Sequence, residues 1–337
     1  MNDLRFAVIG WGYWGPKIAR NLDGLPRASV TMVADMDERR LAPISLNQPW
    51  IHTTTSIEEV FRSDVDGIVL ATPVKTHYQL AKAALLHGKH VLVEKPLTTS
   101  VAEAEELVLL AKECGRVLMV GHTFEYSPAV NELRKLIQNG DLGKIYCVET
   151  ERVNLGLFRN DINVIWDLAP HDVSILLYLF GKTPNAISVQ AHAHVQPQIC
   201  DVAHLDLGFA DDMMAHIHVS WLHPCKIRRV TVIGDARMVV YDDTNPAEMI
   251  KIYNKGADIH ADPVVSYRHG AITIPHIDWM EPLRLECEDF ANAIRTGTLA
   301  RAHGGVGLEV VKVLAAAQAV LETQSQPEPT SSTIIAD

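Results

Sequence analysis

Close cysteine pairs are missing from this chain. Its five cysteines, Cys114, Cys147, Cys200, Cys225 and Cys287, are odd in number and far apart, which argues against a disulfide framework, a zinc ribbon or a redox dithiol and reads as reduced thiols. A basic surplus is missing too. The net charge is −11 with histidine neutral and the lysines and arginines are dispersed, so the footprint of a nucleic-acid binder is absent. No apolar stretch reads as approaching the roughly 20 residues of a membrane span. Met1 to Leu4 leads straight into a first strand, without the charged and apolar regions of a secretory signal. These absences predict a cytoplasmic protein with no membrane or nucleic-acid partner. Neither an internal repeat nor a low-complexity block stands out, apart from a polar tail after Gln324 that reads as mobile.

What is present is an ordinary globular composition, 47% hydrophobic and 21% charged over 337 residues. That length exceeds a single core and predicts two domains with a cleft between them. Strand and helix signals alternate from the start. Arg5 to Gly10, Ala28 to Asp35, Gly67 to Ala71, His90 to Glu94 and Val117 to Gly121 read as strands within a run of six. Between them, Pro16 stands in the first turn of a helix, Asp37 caps another, and Ser56 to Glu59 and Ser100 to Glu103 read as capping boxes. The helix Lys75 to Leu86 ends at Gly88. Six strands with helical crossovers predict a doubly wound parallel α/β sheet of the Rossmann type over residues 1–122.

After Gly121 the pattern changes. A helix begins at Ser127-Pro128, a strand runs from Lys144 to Glu151, a helix spans His171 to Phe180, and strands crowd together from Ala186 to Tyr253. Strands without intervening helices predict a large, mostly antiparallel open sheet in an α/β domain over residues 123–337. Residues 256 to 281 show weak periodicity, whereas Pro282 to Arg295 and Gly307 to Thr323 read as amphipathic helices. Alternating apolar positions, as in Leu205-Asp206-Leu207-Gly208-Phe209, predict one sheet face that needs cover.

The first loop carries the chemistry of a nucleotide site. Gly10, Gly12 and Gly15 have Gly-x-Gly-x-x-Gly spacing between a strand and a helix, enclosing Trp11, Tyr13 and Trp14, and Asp35 stands twenty residues after Gly15 at the end of the second strand. The glycines permit a tight turn and close approach of a pyrophosphate, and the helix N-terminus favours its charge. A carboxylate at Asp35 suits the ribose 2′-hydroxyl of NAD and repels the 2′-phosphate of NADP, with Arg39 and Arg40 close enough in sequence to leave NADP open. At the carboxyl end of a later strand, Glu94-Lys95-Pro96 delivers an amine to the edge where ligands of such sheets lie.

The segments Ala71-Thr72-Pro73-Val74-Lys75-Thr76-His77, Gly88 to Pro96 and Asp167-Leu168-Ala169-Pro170-His171-Asp172, together with the glycine loop, resemble the Gfo/Idh/MocA oxidoreductase family over nearly the whole chain. That resemblance implies a catalytic set of Lys95, Asp167 and His171, a cis Lys95–Pro96 bond, and a homodimer or homotetramer through the second sheet. It also implies that Thr72, Pro73 and His77 line the nicotinamide half of the cofactor site, although a capping role for Thr72 and a core role for His77 fit as well. Asp167 and His171 are four apart, so they can flank one substrate hydroxyl. Histidine suits removal of the hydroxyl proton, the lysine polarises the oxygen, and the roles of Lys95 and His171 can be exchanged. Glu94 joins the cofactor-contacting candidates.

The stretch Arg152 to Trp166 mixes donors, acceptors and an aromatic, which fits a sugar. It resembles the branch of the family acting on UDP-linked N-acetylhexosamines at C3. Arg152, Asn154, Arg159, Asn163 and Trp166, with His122, Lys95, Asp167 and His171, are the candidate substrate contacts, and Arg152 and Arg159 could pair with a diphosphate. The expected activity is NAD-dependent oxidation of a secondary sugar hydroxyl, on a nucleotide-linked or aminoglycoside-type sugar. Alternatives are an NADPH-dependent keto-sugar reductase in deoxysugar or antibiotic biosynthesis, and a nonenzymatic dinucleotide-binding regulator. No metal is expected: His192 with His194, and His216 with His218, alternate along strands and read as a polar sheet face.

Overall fold

The computed structural model describes residues 3–259 and 265–324. Six parallel strands form the first sheet: β1 (Leu4–Ile9), β2 (Ala28–Ala34), β3 (His52–Thr54), β4 (Gly67–Leu70), β5 (His90–Val93) and β6 (Leu118–Val120). Their order is β3-β2-β1-β4-β5-β6, the doubly wound arrangement expected. β3 is an edge strand of three residues with none buried, so no apolar run marks it in the sequence. β4 and β6 by contrast are buried throughout, as strands covered by helices on both faces must be.

The strand order reverses between β1 and β4, which opens a crevice at the carboxyl ends. Register decides what stands there. Ile9 pairs with Ala34 and Leu70, Leu70 with Val93, and Val93 with Val120. Five strands therefore end level, and Gly10, Asp35, Ala71, Glu94 and Gly121 follow them in one row. Helix starts between the strands are capped as their sequences require, Asp37 accepting from Arg39 N and Ser100 from Glu103 N. Ser56 stands at a helix N-cap without such a bond, so the box expected there is not closed.

The second sheet has eight strands: β7 (Ile145–Val153), β8 (Ala186–His192), β9 (Val202–Gly208), β10 (Met214–Ser220), β11 (Ile227–Gly234), β12 (Met238–Asp242), β13 (Ile250–Ile259) and β14 (Val265–Thr273). The order is β14-β13-β12-β11-β7-β10-β9-β8, and every neighbouring pair is antiparallel except β7 with β10. The hairpin of β13 and β14 occupies much of the stretch where periodicity is weak. β14 buries no residue, so neither of its faces imposes an apolar alternation.

Alternation elsewhere splits this sheet cleanly. Val148, Leu205, Leu207, Ala215, Ile217, Val230 and Val232 belong to the main core, on the side covered by helices Val164–Phe180 and Gly304–Gln324. The apolar face read as needing cover is thus met by the chain's own helices. The outer face is polar. Two rungs cross five strands, one of Ser188, Asp206, His216, Glu149 and Thr231, the other of Gln190, His204, His218, Glu151 and Arg229. His204 and His218 stack with ring centres 4.3 Å apart, His218 Nδ1 lies 3.7 Å from Glu151 Oε1, and His216 pairs with Asp206. His194 pairs with Asp201 at 2.8 Å, and the His192 ring is 5.9 Å from that of His194. Among the described residues no group of three or more such side chains is placed to hold a metal ion.

The chain ends by returning to the first sheet. In the helix Pro282–Thr296, Phe290 lies 5.8 Å from Phe6, and Leu283, Cys287 and Ala291 share a core with Val8, Ile18, Leu22 and Met119. Val120 N donates to Ala302 O at 2.9 Å. The last helix, Gly304–Gln324, is long and apolar enough to cross a membrane by length and composition alone, which corrects the reading that no such stretch exists. Here it packs on the helices Val101–Glu113 and Val164–Phe180, with Val310, Val311, Leu314 and Ala317 buried. The polar tail beyond Gln324 lies outside the described residues.

Candidate active site

The glycine loop is shaped by the chain's own backbone. Gly10 has φ +98°, and a Cβ on it would lie 2.5 Å from Ala71 O; a Cβ on Gly15 would collide with Gly10 O. Gly12 is different: a Cβ there meets nothing within 4 Å among the described residues, so this is where another molecule can come close to the backbone. Asp35, with a side chain only 8% exposed, accepts from Trp11 N at 2.6 Å and from Asp37 N at 2.9 Å. Arg40 Nη1 donates to it at 3.2 Å, while Arg39 is engaged with Asp37. The carboxylate is therefore fixed beside the loop. A dinucleotide fits these residues: its phosphates would be held at Gly12 and the start of the helix Gly15–Asp23, and its adenosine ribose at Asp35. Tyr13 is 72% exposed and Trp14 38%, and their rings meet edge to face at 5.3 Å.

Further along the same row, the Lys95–Pro96 bond is cis, as expected. Lys95 Nζ donates to the backbone carbonyl of Asp167 at 2.6 Å and stands 3.7 Å from its Oδ1. Burial pushes the Lys95 pKa down, and the carboxylates of Asp167 and Glu94 resist that shift. Burial raises Glu94 to about 7, opposed by Lys95.

Asp167 and His171 sit on one helix, Val164–Phe180, which starts seven residues earlier than its apolar pattern indicates. Asn163 caps it, accepting from Ile165 N and Trp166 N, and its Nδ2 donates to Gln318 Oε1 at 2.9 Å. Asp167 Oδ2 accepts from Trp221 Nε1 at 3.0 Å, and Arg159 Nη1 lies 3.7 Å from Oδ1. Among the described residues His171 Nδ1 is buried without a partner. Burial first, then the charges of Lys95, Arg152 and Arg228, hold the His171 pKa well below its ordinary value, so the ring is neutral at pH 7. Trp14, Glu94, Lys95 and His171 line one cavity of about 380 Å³. Three distant segments of sequence thus meet.

Other candidates stand elsewhere. Arg152 is locked in a buried pair with Asp172, at 2.8 and 3.1 Å, and lies 4.4 Å over the Phe124 ring, whose edge meets His171 at 5.1 Å. It braces the site from behind and is not free for a diphosphate. Arg159 chelates Asp161 at 2.9 and 2.8 Å. Trp166 is core, 6% exposed, and Asn163 is a cap, so neither is presented as a substrate contact. Asn154 pairs by its backbone N–H with Ser220 O. His122 is 1% exposed, both its ring nitrogens are unpartnered among the described residues, and burial takes its pKa down to about 3. His77 is equally buried, its Nδ1 2.9 Å from Pro96 O and its Nε2 2.8 Å from Thr72 O, so it ties together the loops after β4 and β5. Thr72 accepts from Thr76 Oγ1, and Pro73 immediately precedes the single turn Val74–Thr76.

Residues 4–122 match the family model described as oxidoreductase family, NAD-binding Rossmann fold, and residues 130–240 match the GFO/IDH/MocA C-terminal domain. The chain belongs to the Gfo/Idh/MocA oxidoreductase family. It is 30% identical over 261 residues to the uncharacterized oxidoreductase YdgJ of Escherichia coli (strain K12), covering 73% of each chain. It is 29% identical over 295 residues to the UDP-N-acetylglucosamine 3-dehydrogenase of Acidithiobacillus ferrooxidans, covering 87% of this chain and 90% of that enzyme. A solved structure of that dehydrogenase superposes with a TM-score of 0.80 over 97% of this chain and 100% of the other, at 26% identity. GenD2 from gentamicin A biosynthesis, solved in complex with NAD, gives a TM-score of 0.81 at 25% identity, covering 96% and 95%.

For this Gfo/Idh/MocA oxidoreductase the second domain supplies wall residues that the sequence pattern missed. Arg228 on β11 and Asp243 just past β12 line the cavity and pair at 3.2 Å, and Tyr241 donates to Asp243 Oδ1 at 3.0 Å. Trp279 and Glu281, from the segment leading into the helix Pro282–Thr296, and Leu283 in its first turn also line it. Trp221, just past β10, holds Asp167. No local spacing signals these residues, because strand register and the packing of the helix Pro282–Thr296 bring them to the site.

Proposed function

We propose that this chain oxidises a secondary hydroxyl, at C3 of a nucleotide-linked sugar, with NAD as cofactor. The observation that carries the reading is the single cavity shared by Trp14 of the glycine loop, Glu94, Lys95 and His171. NAD, when bound, supplies the hydride acceptor. The neutral imidazole of His171 takes the hydroxyl proton, a role worth roughly 10²–10⁴-fold in rate. The Lys95 ammonium polarises the substrate oxygen and stabilises its developing charge. The carbonyl and carboxylate of Asp167 fix that ammonium, and in the reverse direction the same His171 returns the proton to the substrate oxygen.

NAD is favoured over NADP because a 2′-phosphate would face the Asp35 carboxylate, which its backbone donors hold in place. Likeness to a UDP-N-acetylglucosamine 3-dehydrogenase over most of both chains supports the substrate class. We further assign residues 1–122 to cofactor binding and residues 123–337 to substrate binding and assembly, in a cytoplasmic homodimer or homotetramer joined across the outer sheet face.

A panel of UDP-sugars, free sugars, inositols and aminoglycosides, scanned for formation of reduced cofactor, tests the reading. UDP-N-acetylglucosamine with NAD is expected to turn over, and Lys95→Met is expected to lose roughly three orders of magnitude in kcat. A Lys95→Met enzyme that keeps most of its turnover would remove the proposed chemistry.

A further inference from the structure

The nucleotide-linked sugar proposed above carries an anion, and neither arginine expected to receive it is free. Arg152 is buried against Asp172, and Arg159 is chelated by Asp161. The cavity offers other cations. Trp14, Lys17 and Arg20 recur every third residue from the N-cap to the last turn of the helix Gly15–Asp23, and all three line it. Arg20 is neutralised by Glu281, and Arg228 across the cavity is paired with Asp243 at 3.2 Å. Lys17 is the exception: its Nζ rests 3.3 Å from the centre of the Tyr13 ring, and among the described residues no carboxylate lies within 4.0 Å of it.

More positive charge gathers at the same place. Lys17 holds the Tyr13 hydroxyl below its ordinary pKa, with smaller pulls from Lys226 and Arg228. Lys226 likewise has no carboxylate within ion-pair distance among the described residues. Cations thus outnumber carboxylates on this lining, Lys17, Arg20, Lys95 and Arg228 against Glu94, Asp243 and Glu281, in a chain whose net charge is −11. Flat apolar surfaces flank it, Trp14 on one side and Trp279, 56% exposed, on the other.

We infer that Lys17, with Arg228 on the lining of the same cavity, receives a phosphate-ester anion of the substrate, the diphosphate that joins the sugar to its nucleotide. The inference rests on the sugar reading of the site and names the residues that would select charged over free sugars. An uncompensated ammonium is a strong point receptor for phosphate. Arg228 keeps an N–H fork to share between Asp243 and the incoming anion. Lys95 is not available for this role, because its Nζ is held by Asp167.

The test uses the full chain loaded with NAD and titrated calorimetrically with UDP and with UDP-N-acetylglucosamine, as wild type, Lys17→Gln and Lys17→Arg. Lys17→Gln is expected to weaken UDP binding roughly 10- to 100-fold and Lys17→Arg to restore most of it. In steady-state assays Lys17→Gln lowers the kcat/KM preference for UDP-linked over free N-acetylglucosamine by a similar factor. UDP affinity unchanged in Lys17→Gln, no UDP binding by wild type, or an equal loss of NAD affinity would each overturn the assignment. Lys17-dependent UDP binding without turnover of any sugar would uphold it while rejecting the dehydrogenase reading.

Discussion

Asp35 shows how much one carboxylate can be made to decide. Fixed by Trp11 N and Asp37 N, it faces whatever approaches the glycine loop, and replacing it leaves those donors without their partner. Asp35→Ala is expected to raise the KM for NAD roughly tenfold or more, the worth of a hydrogen bond to a charged group, and to narrow the preference over NADP. Initial-rate kinetics with both cofactors check this, and an unchanged KM for NAD would remove the role. Glu125 is a second such residue. Burial raises its pKa to about 8, against the pulls of Arg301 and Arg134. A folded value above the ordinary 4.5 means its contribution is complete below that pH and is lost as pH rises through about 8. The Tm of Glu125→Gln relative to wild type should therefore climb between about pH 5 and pH 9, and a difference independent of pH in scanning calorimetry would contradict it. At this scale the sequence was legible where chemistry is local. Lys95, Asp167 and His171 lie in short distinctive segments and line or border one cavity. The arginines misled because the partner of Arg152, twenty residues away on a helix, has no signature in spacing.

Secondary-structure elements carry the next level of specificity. The helix Val164–Phe180 was expected to start at His171. Asn163 starts it instead, and Pro170 is accommodated inside, where it removes the N–H that would bond the Trp166 carbonyl. The cap therefore sets the height of Asp167 against Lys95. Asn163→Ala should cost about 1 kcal/mol of stability, typical of a lost cap, and should lower kcat through the displaced Asp167. Urea unfolding and turnover, measured together, test this. Loss of stability with full kcat would show that the cap does not position the acid. Helices announced by Pro128, Pro282 and Ser100 were legible because their starts are chemically marked. β3 and β14 were not, because neither buries a residue that could impose a pattern.

The whole molecule is held together by a return of the chain. Alternation of strand and helix revealed the first sheet, and crowded strands revealed the second, because each follows from hydrophobic period alone. That the helix Pro282–Thr296 completes the core of the first sheet follows only from packing. Phe290, fully buried against Phe6, is the pivot of that closure. Phe290→Ala should cost about 3–5 kcal/mol, and because its helix packs on Gly15–Asp23 it should also weaken NAD binding. Calorimetry and cofactor titration on the folded variant would detect both. A stability loss with undiminished cofactor affinity would confine the residue to the core.

The level ending of five parallel strands has an evolutionary consequence. A residue inserted within β5 would advance Lys95 by about 3.3 Å and turn it to the opposite side of the pleat, whereas one inserted in a crossover helix or loop would leave the amine where it is. Divergence in such a scaffold is therefore channelled into its connections. New substrates can be sampled by lengthening loops around a reactive edge whose spacing the ladder of strands protects.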